Sequence, residues 1–94
     1  MSYLFVRHKI ADYDKWKKAF DDHAEVREDA GSEGGKLFRN SDDPNEVMIF
    51  FEWKDLESAK KFAQSPNLKE VMQEAGVMDK PDIYHLEKIE KLSF

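Results

Sequence analysis

The side chains best suited to chemistry are His23 and Arg27, which lie one helical turn apart in the stretch FDDHAEVREDAG at 20–31. At about 100° per residue, both fall near the middle of the arc formed by the apolar residues of that helix. Acidic residues and lysines occupy the rest of the circumference. The amphipathic pattern is therefore sharp, and two polar groups on its apolar side are informative exceptions.

Two interpretations of this pair are open, because a buried arginine is costly without a partner and a histidine has two ring nitrogens to satisfy. In the first, Arg27 reaches solvent or pairs with a carboxylate near the helix C-terminus, and His23 is an ordinary buried histidine bonded to backbone. In the second, both line a cleft between helix and sheet, where they offer a ligand a cation and a neutral donor or acceptor.

Other residues could meet this pair. His8 is in phase with the apolar side of the first predicted strand, and Trp53 ends the third. Tyr84 and His85 point to opposite faces of the last strand, so only one of them can face the helices. The three histidines come from two strands and one helix with no short spacing between them, and we therefore predict no metal site.

Hydrophobic periodicity and turn residues predict the elements that would position these side chains. The first helix should run from an Asp12 cap to a stop at Gly31, followed by SEGG at 32–35 as a loop. A second helix should follow Asp55 and restart at Pro66, whose missing N–H is not needed there. The predicted strands are 2–10, 36–40, 46–53 and 83–89, the last after an Asp-Lys-Pro-Asp turn at 79–82.

The resulting β-α-β-β-α(α)-β order is that of a ferredoxin-like fold. We therefore expect one α+β domain over residues 1–94, with helices on one face of an antiparallel sheet. The third strand, VMIFFEW at 47–53, is apolar on both faces, and so is the start of the first. Because helices can cover only one face, we predict a homodimer packed through the other.

Composition narrows the classes of function. The net charge of −5 argues against nucleic-acid binding, which depends on neutralising phosphates with Lys and Arg. The chain has no cysteine, which excludes disulfides and thiolate chemistry and fits a cytoplasmic protein. Its longest apolar run, Val47 to Phe51, is far too short to span a membrane, so no membrane partner is expected.

Two passages carry a resemblance to a known family: YDKWKKAFDDHAEVREDAG at 13–31 and NEVMIFFEWKDLESAKKFAQSPNLKEVMQEAGV at 45–77. The most specific part is EW-x-x-x-x-x-A-x-x-F-x-x-S-P, from Glu52 to Pro66. Over residues 3–90 the chain resembles the antibiotic-biosynthesis-monooxygenase-like domains of the dimeric α+β barrel superfamily. The resemblance implies a ferredoxin-like subunit, a dimer formed through the sheets, and a pocket between sheet and helices.

The resemblance also implies a function: a cofactor-independent monooxygenase acting on a small aromatic or quinone-like compound, which would itself reduce oxygen once deprotonated. His23 or His8 would accept the proton, and Arg27 would stabilise the enolate or phenolate. The residues expected to contact the ligand are Phe20, Trp53, Phe62, Met72 and Tyr84. The alternative is a non-enzymatic dimer of the same fold that binds a small apolar ligand.

Haem-degrading members of the same family use a His, a Trp and an Asn. In this chain the corresponding positions would be Met72, the neighbourhood of Phe62 and the neighbourhood of His8. The departures argue against haem degradation, and no cofactor is predicted.

Overall fold

A computed structural model of the protein describes residues 2–78 and 80–93. In this part of the chain, four strands and four helices follow one another in the order β1, α1, α2, β2, β3, α3, α4, β4. Their bounds are β1 Ser2–Lys9, α1 Tyr13–Asp22, α2 Ala24–Ala30, β2 Ser32–Asn40, β3 Asp43–Trp53, α3 Leu56–Ala63, α4 Pro66–Glu74 and β4 Asp82–Leu86.

The strands form one sheet in the order β2-β3-β1-β4, and every pair is antiparallel. The two strands adjacent in sequence, β2 and β3, form a hairpin, whereas β1 lies at the centre between β3 and β4. The predicted ferredoxin-like α+β fold with an antiparallel sheet is therefore confirmed.

Strict alternation along β1 and β3 separates the two faces of the sheet. Along β3, alternate residues from Val47 to Trp53 are buried, while those between them are only partly buried. Leu4 pairs with Phe51 and Val6 with Ile49, so the inner faces of β1 and β3 form one apolar surface under the helices. Burying each such side chain contributes roughly 1.5–3 kcal/mol. The inner face is the wall on which the candidate site is built.

The first helical segment differs from the prediction at one residue. It is divided at His23, whose φ of −91° and ψ of 1° are not helical, so the prediction of one continuous helix is wrong there. The His23 N–H still donates to Ala19 O at 3.1 Å, and Arg27 N–H donates to His23 O at 3.2 Å. The apolar pattern does not reveal the break because both segments keep the same side towards the sheet.

The stretch SEGG at 32–35, predicted as a loop, lies inside β2, so that prediction is wrong. A side-chain carbon on Gly35 would overlap the carbonyl oxygen of Phe50 and lie 3.0 Å from Phe51 Cα. Only glycine at this position therefore allows β2 to lie so close to β3. Gly34 has a φ of +119° beside a register shift in the ladder. Glycine is disfavoured in strands in general, which is why the composition of residues 32–35 alone predicted a loop.

Helix starts were predicted well. The Asp12 side chain accepts from the backbone N–H groups of Asp14 and Lys15, and Asp55 accepts from Ser58 N–H at 2.7 Å. Ser65 occupies the predicted cap position before Pro66, but its side chain makes no capping bond. Gly31 ends α2 with a φ of +120°.

Two other boundaries moved. β3 begins at Asp43, three residues before the predicted start, which shortens the hairpin turn to Ser41 and Asp42. β4 ends at Leu86 rather than at residue 89. The turn predicted at 79–82 includes residue 79, which lies outside the described residues.

Candidate functional site

A narrow cavity of about 70 Å³ lies between the helices and the inner face of the sheet. Nearly all of its lining is apolar, and the three polar side chains on it are His8, His23 and Arg27. The apolar lining comes from the sheet (Leu4, Val6, Ile49, Phe51 and Ile83), from α1 (Trp16 and Phe20) and from α3, α4 and the residue after α4 (Phe62, Ala63, Leu68, Val71, Met72 and Ala75). A cavity therefore lies where the second interpretation placed a cleft, and both residues of the pair line it.

His23 reaches the cavity from the junction between α1 and α2. His23 is only 8% exposed, and its ring centre lies 6.1 Å from that of Phe62. Its Nε2 atom has no hydrogen-bond partner among the described residues. Burial, and secondarily the charge of Arg27, lower the pKa of His23 below its ordinary value. The imidazole is thus neutral at pH 7, and in the tautomer protonated on Nδ1 its Nε2 can accept a proton.

Arg27 makes two contacts with Phe20. Its Nη1 donates to the Phe20 carbonyl oxygen at 2.8 Å, and its guanidinium carbon lies 3.8 Å from the centre of the Phe20 ring. Within residues 2–78 and 80–93 it forms no ion pair with a carboxylate. Burial lowers the pKa of Arg27, with Asp21 acting in the opposite direction, and the group stays charged at neutral pH. Neither sequence-based interpretation foresaw a guanidinium stacked on an aromatic ring.

His8 lies on the inner side of β1 and lines the same cavity, as predicted from its phase. It is 3% exposed, and Trp16 meets its ring edge-on at a centroid distance of 5.7 Å. The structure therefore brings both candidate bases to one cavity, from opposite walls.

The predicted ligand contacts divide into three groups. Phe20, Phe62 and Met72 line the cavity. Trp53 does not line it: the side chain is fully buried, its ring lies 5.0 Å from that of Phe62, and its Nε1 has no acceptor among the described residues. Tyr84 is on the opposite face of the sheet, where it is 56% exposed and its ring is 6.3 Å from that of Phe5. The structure does not bring Tyr84 to the cavity, because its strand position has the outward phase.

An open groove of about 620 Å³ adjoins the cavity. Four side chains belong to both linings and so form the boundary between the two spaces: Phe20, Arg27, Ile49 and Phe51. The rest of the groove comes from α2 and β2, namely Ala24, Glu28, Ser32, Glu33, Gly34, Gly35, Lys36 and Leu37. Sequence analysis missed this groove because it assigned residues 32–35 to a loop; two glycines in a strand were the signal that could have found it.

Volume limits what the cavity can hold. Pockets for drug-sized ligands occupy about 300–1,000 Å³, whereas a water molecule takes about 30 Å³ of liquid. The cavity of about 70 Å³ is too small for a ring compound, but the adjoining groove is not. A site that joins both spaces has an apolar inner end with a histidine, a cation at the boundary and an open outer end.

In the described ranges 2–78 and 80–93, no cluster of three or more His, Cys, Asp or Glu side chains is placed to hold a metal ion. No helix in those ranges has the length and apolar character needed to cross a membrane.

The structural class of the protein is thus a ferredoxin-like α+β fold with an apolar, histidine-containing cavity between sheet and helices. Residues 4–74 match the profile of the family described as antibiotic biosynthesis monooxygenase. The chain therefore belongs to that family. A comparison with curated proteins gives no match.

Solved structures share the fold of this chain. A protein from Bordetella bronchiseptica assigned as an antibiotic biosynthesis monooxygenase has a TM-score of 0.77 at 15% identity, over 95% of this chain and 97% of its own. A mutant of SnoaB, a cofactor-independent oxygenase from Streptomyces nogalater, has a TM-score of 0.77 at 14% identity, and the match covers 97% of this chain and 95% of SnoaB. A protein from Caulobacter crescentus that is also assigned as an antibiotic biosynthesis monooxygenase has a TM-score of 0.74 at 16% identity. The match covers 95% of this chain and 90% of that protein. At these identities the likeness establishes the fold.

Proposed function

We propose that the protein is a cofactor-independent monooxygenase that acts on a small aromatic or quinone-like compound bound across the cavity between sheet and helices and the adjoining groove. The observation that carries the proposal is the Nε2 atom of His23, which is buried in an apolar cavity without a hydrogen-bond partner among the described residues. A buried polar atom of this kind costs free energy in folding, and a catalytic role is one of the reasons for which such an atom is kept. Family membership supports the oxygenase class.

In the proposed reaction, His23 takes a proton from an activated C–H group of the substrate. The carbanion transfers one electron to O₂, and the two radicals combine through a C–O bond to give a peroxide anion. The anion takes the proton back from His23 and becomes a hydroperoxide. Loss of water then leaves a carbonyl group, so each turnover converts CH₂ and O₂ into C=O and H₂O. The lowered pKa of His23 supports its role as the base, because the imidazole enters the reaction neutral.

Arg27 is the cation nearest to this base along the cavity wall. Its role in the proposal is to stabilise the negative charge that the substrate acquires on losing its proton, as an enolate or phenolate. Screening of this charge is weak because the surrounding side chains are apolar. His8, on the opposite wall, is the second candidate for the proton acceptor.

We also propose that the protein works as a homodimer packed through the outer face of the sheet. That face carries aromatic pairs: the rings of Tyr3 and Phe50 stack at 5.2 Å, and Phe5 lies beside Tyr84. Its other end carries an ion-pair network in which Arg7 contacts Glu46 and Asp82. Self-association would cover the apolar part, as expected for sheets apolar on both faces.

Oxygen consumption tests the catalytic proposal. Purified protein is supplied with anthrone or a substituted anthrone, whose CH₂ group is the one to be oxidised, in an oxygen electrode, and spontaneous oxidation is subtracted. We expect substrate-dependent uptake by the wild type, and a loss of about 100-fold or more in His23→Ala, the usual scale of general base catalysis. The control is His85→Ala, because His85 is an exposed histidine of β4 that does not line the cavity.

Two results would contradict this proposal. Wild-type protein that consumes no oxygen with any of these substrates is not the proposed enzyme. If it still binds them, the non-enzymatic ligand-binding function takes its place. Equal rates in His23→Ala and the wild type would refute His23 as the base and leave His8 to be tested in the same way.

A further inference from the structure

The cavity has a second boundary, which is formed by α3. An open groove of about 680 Å³, here called the second groove, is lined mainly by α2, by α3 and by the residues that join α3 to α4. Among the described residues, Phe62 is the one side chain that lines both the second groove and the cavity. It is only 7% exposed. The ring of Phe62 is therefore the wall between the two spaces.

The two spaces on either side of Phe62 differ in polarity. Most of the side chains that line the second groove are polar or charged, namely Asp29, Lys54, Ser58, Lys61, Gln64 and Ser65. An open groove of this size and polarity holds water. The cavity lining, in contrast, is apolar apart from His8, His23 and Arg27. Without the ring of Phe62, water from the second groove would reach the cavity.

On the cavity side, Phe62 neighbours His23. The two ring centres are 6.1 Å apart, and Nε2 of His23 is buried without a hydrogen-bond partner among the described residues. Water that reached this atom would hydrogen-bond to it and would also solvate the protonated imidazole. Burial is the larger of the two causes that lower the pKa of His23. The wall at Phe62 is therefore part of what keeps this histidine neutral.

The ring of Phe62 is supported from the sheet. The side chain of Trp53 is fully buried, and its ring centre lies 5.0 Å from that of Phe62. At the end of α3, the backbone N–H of Ser65 donates to the carbonyl oxygen of Phe62 at 3.0 Å. A large side chain in a close-packed core has little room to move. Trp53 thus limits how far the ring of Phe62 can turn away from His23.

We infer that Phe62 is a positioning residue for the proposed base: its ring closes a second opening of the cavity and keeps the water of the second groove away from Nε2 of His23. The inference rests on the proposed function in one respect, because it takes His23 as the base. It adds a residue that fixes the lowest pH at which the base works. A protonated imidazole cannot accept a proton from the substrate, so the reaction fails below the pKa of His23.

Access of water should matter more to His23 than the charges around it. The charged and titratable side chains on the two sides of the wall are Arg27 and His8 in the cavity, and Asp29, Lys54 and Lys61 in the second groove. The two lysines would oppose protonation of His23, and the carboxylate would favour it. All three groove side chains are exposed, so water and salt screen their charges. Removal of the Phe62 ring should therefore raise the pKa of His23.

NMR titration of the histidine rings tests the inference without substrate or oxygen. Protein with isotopically labelled histidine is titrated as wild type, Phe62→Ala, Phe62→Val and Val6→Ala, and the signal that His23→Gln lacks identifies His23. Val6→Ala is the matched control, because Val6 is 8% exposed and lines the same cavity but borders neither groove. It removes apolar atoms from the cavity wall without opening the cavity to water.

We expect His23 to titrate below its ordinary pKa of about 6.5 in the wild type and in Val6→Ala, and close to that value in Phe62→Ala. Phe62→Val should give an intermediate pKa, and it decides the test if Phe62→Ala shows no cooperative melting. In oxygen uptake with anthrone, the acid limb of kcat/KM should move to higher pH by the same amount. A loss of stability alone would not move it.

Several results would overturn the inference. They are a wild-type His23 that already titrates near its ordinary pKa, a pKa that stays unchanged in the Phe62 variants, and an equal rise in Val6→Ala. An acid limb that stays in place while the pKa rises would also overturn it, because His23 would then not limit the rate.

These outcomes are separate from those of the catalytic proposal. If the pKa of His23 rises in the Phe62 variants but the wild type consumes no oxygen, the monooxygenase function alone is refuted. If the wild type consumes oxygen and the Phe62 variants leave the pKa of His23 unchanged, the role of Phe62 alone is refuted.

Discussion

The backbone N–H of Arg27 donates to the carbonyl oxygen of His23 at 3.2 Å, so the two side chains leave the helical segment one turn apart on the same side. Both then line one apolar cavity, in which the charge of Arg27 adds to burial in lowering the pKa of His23. The arrangement keeps a neutral base beside a permanent cation. Each group is thus held in the charge state that the proposed chemistry needs.

The lowered pKa of His23 predicts how the free energy of unfolding depends on pH. The unfolded chain takes up a proton at this histidine near pH 6.5, whereas the folded chain does so only at lower pH. The unfolded state therefore binds more protons as the pH falls, and stability decreases below about pH 6.5. We expect urea unfolding between about pH 7 and 5 to show a shallower decline for His23→Gln than for the wild type. An unchanged slope would contradict this assignment.

Filling the cavity should weaken ligand binding while leaving the fold intact. Ala63 lies on α3 and lines the cavity of about 70 Å³, into which the larger side chain of Ala63→Leu would extend. We expect the free energy of unfolding to change by less than about 1.5 kcal/mol, because existing space is filled. The affinity for anthrone, measured under nitrogen, and the rate of oxygen uptake should both fall about tenfold or more.

The control for this substitution is Ala11→Leu, because Ala11 is exposed and lines neither the cavity nor the groove. It should leave binding and oxygen uptake unchanged. If Ala63→Leu retained wild-type affinity, the ligand would have to bind outside the cavity.

Helical and strand phase correctly placed most of the inner wall from sequence. His23, Arg27 and Phe20 follow from a 100° period, and His8 from the alternation of β1, because amphipathic patterns report which side of an element faces the core. Phase alone could not choose between Tyr84 and His85 on β4, since that strand has too few apolar residues to mark its inner side. The structure places Tyr84 on the outer face.

The contacts between particular side chains could not be predicted from the sequence. Nothing in residues 20–31 indicates that the guanidinium carbon of Arg27 lies 3.8 Å from the centre of the Phe20 ring, because helical phase places a residue on one side of the helix without fixing its rotamer. The groove beside it was missed for a related reason: Gly34 and Gly35 have low strand propensity, and tertiary packing against β3 overrides it.

Gly35 should tolerate no side chain. A side-chain carbon there would overlap the Phe50 carbonyl oxygen, and backbone atoms cannot move aside without shifting the strand. We expect Gly35→Ala to lower the free energy of unfolding by about 2–3 kcal/mol, measured by urea denaturation. The comparison is Gly34→Ala, which has free space and only the strain of its positive φ, and which should cost less. Equal losses in the two variants would show that the approach to β3 is not limiting.

The proposed dimer predicts that one surface substitution changes the mass in solution. Phe38 is 51% exposed on the outer face of the sheet, opposite Met48 in the ladder. A charge at this position would be buried on self-association without a partner, so Phe38→Glu should weaken the dimer strongly. Light scattering at micromolar concentration should give twice the 11.1 kDa chain mass for the wild type and a mass near the single chain for the variant.

Val26→Glu provides the matched control for the dimer. Val26 is also an exposed apolar residue, 40% accessible, but it lies on α2, on the helical side of the sheet. Its replacement adds the same charge and removes a comparable apolar surface, so a general effect on solubility or net charge would appear in both variants. A dimer that persists in Val26→Glu and dissociates in Phe38→Glu places the contact on the outer sheet face. A wild-type mass near 11.1 kDa contradicts the dimer itself, and the aromatic pairs of that face would then remain exposed in solution.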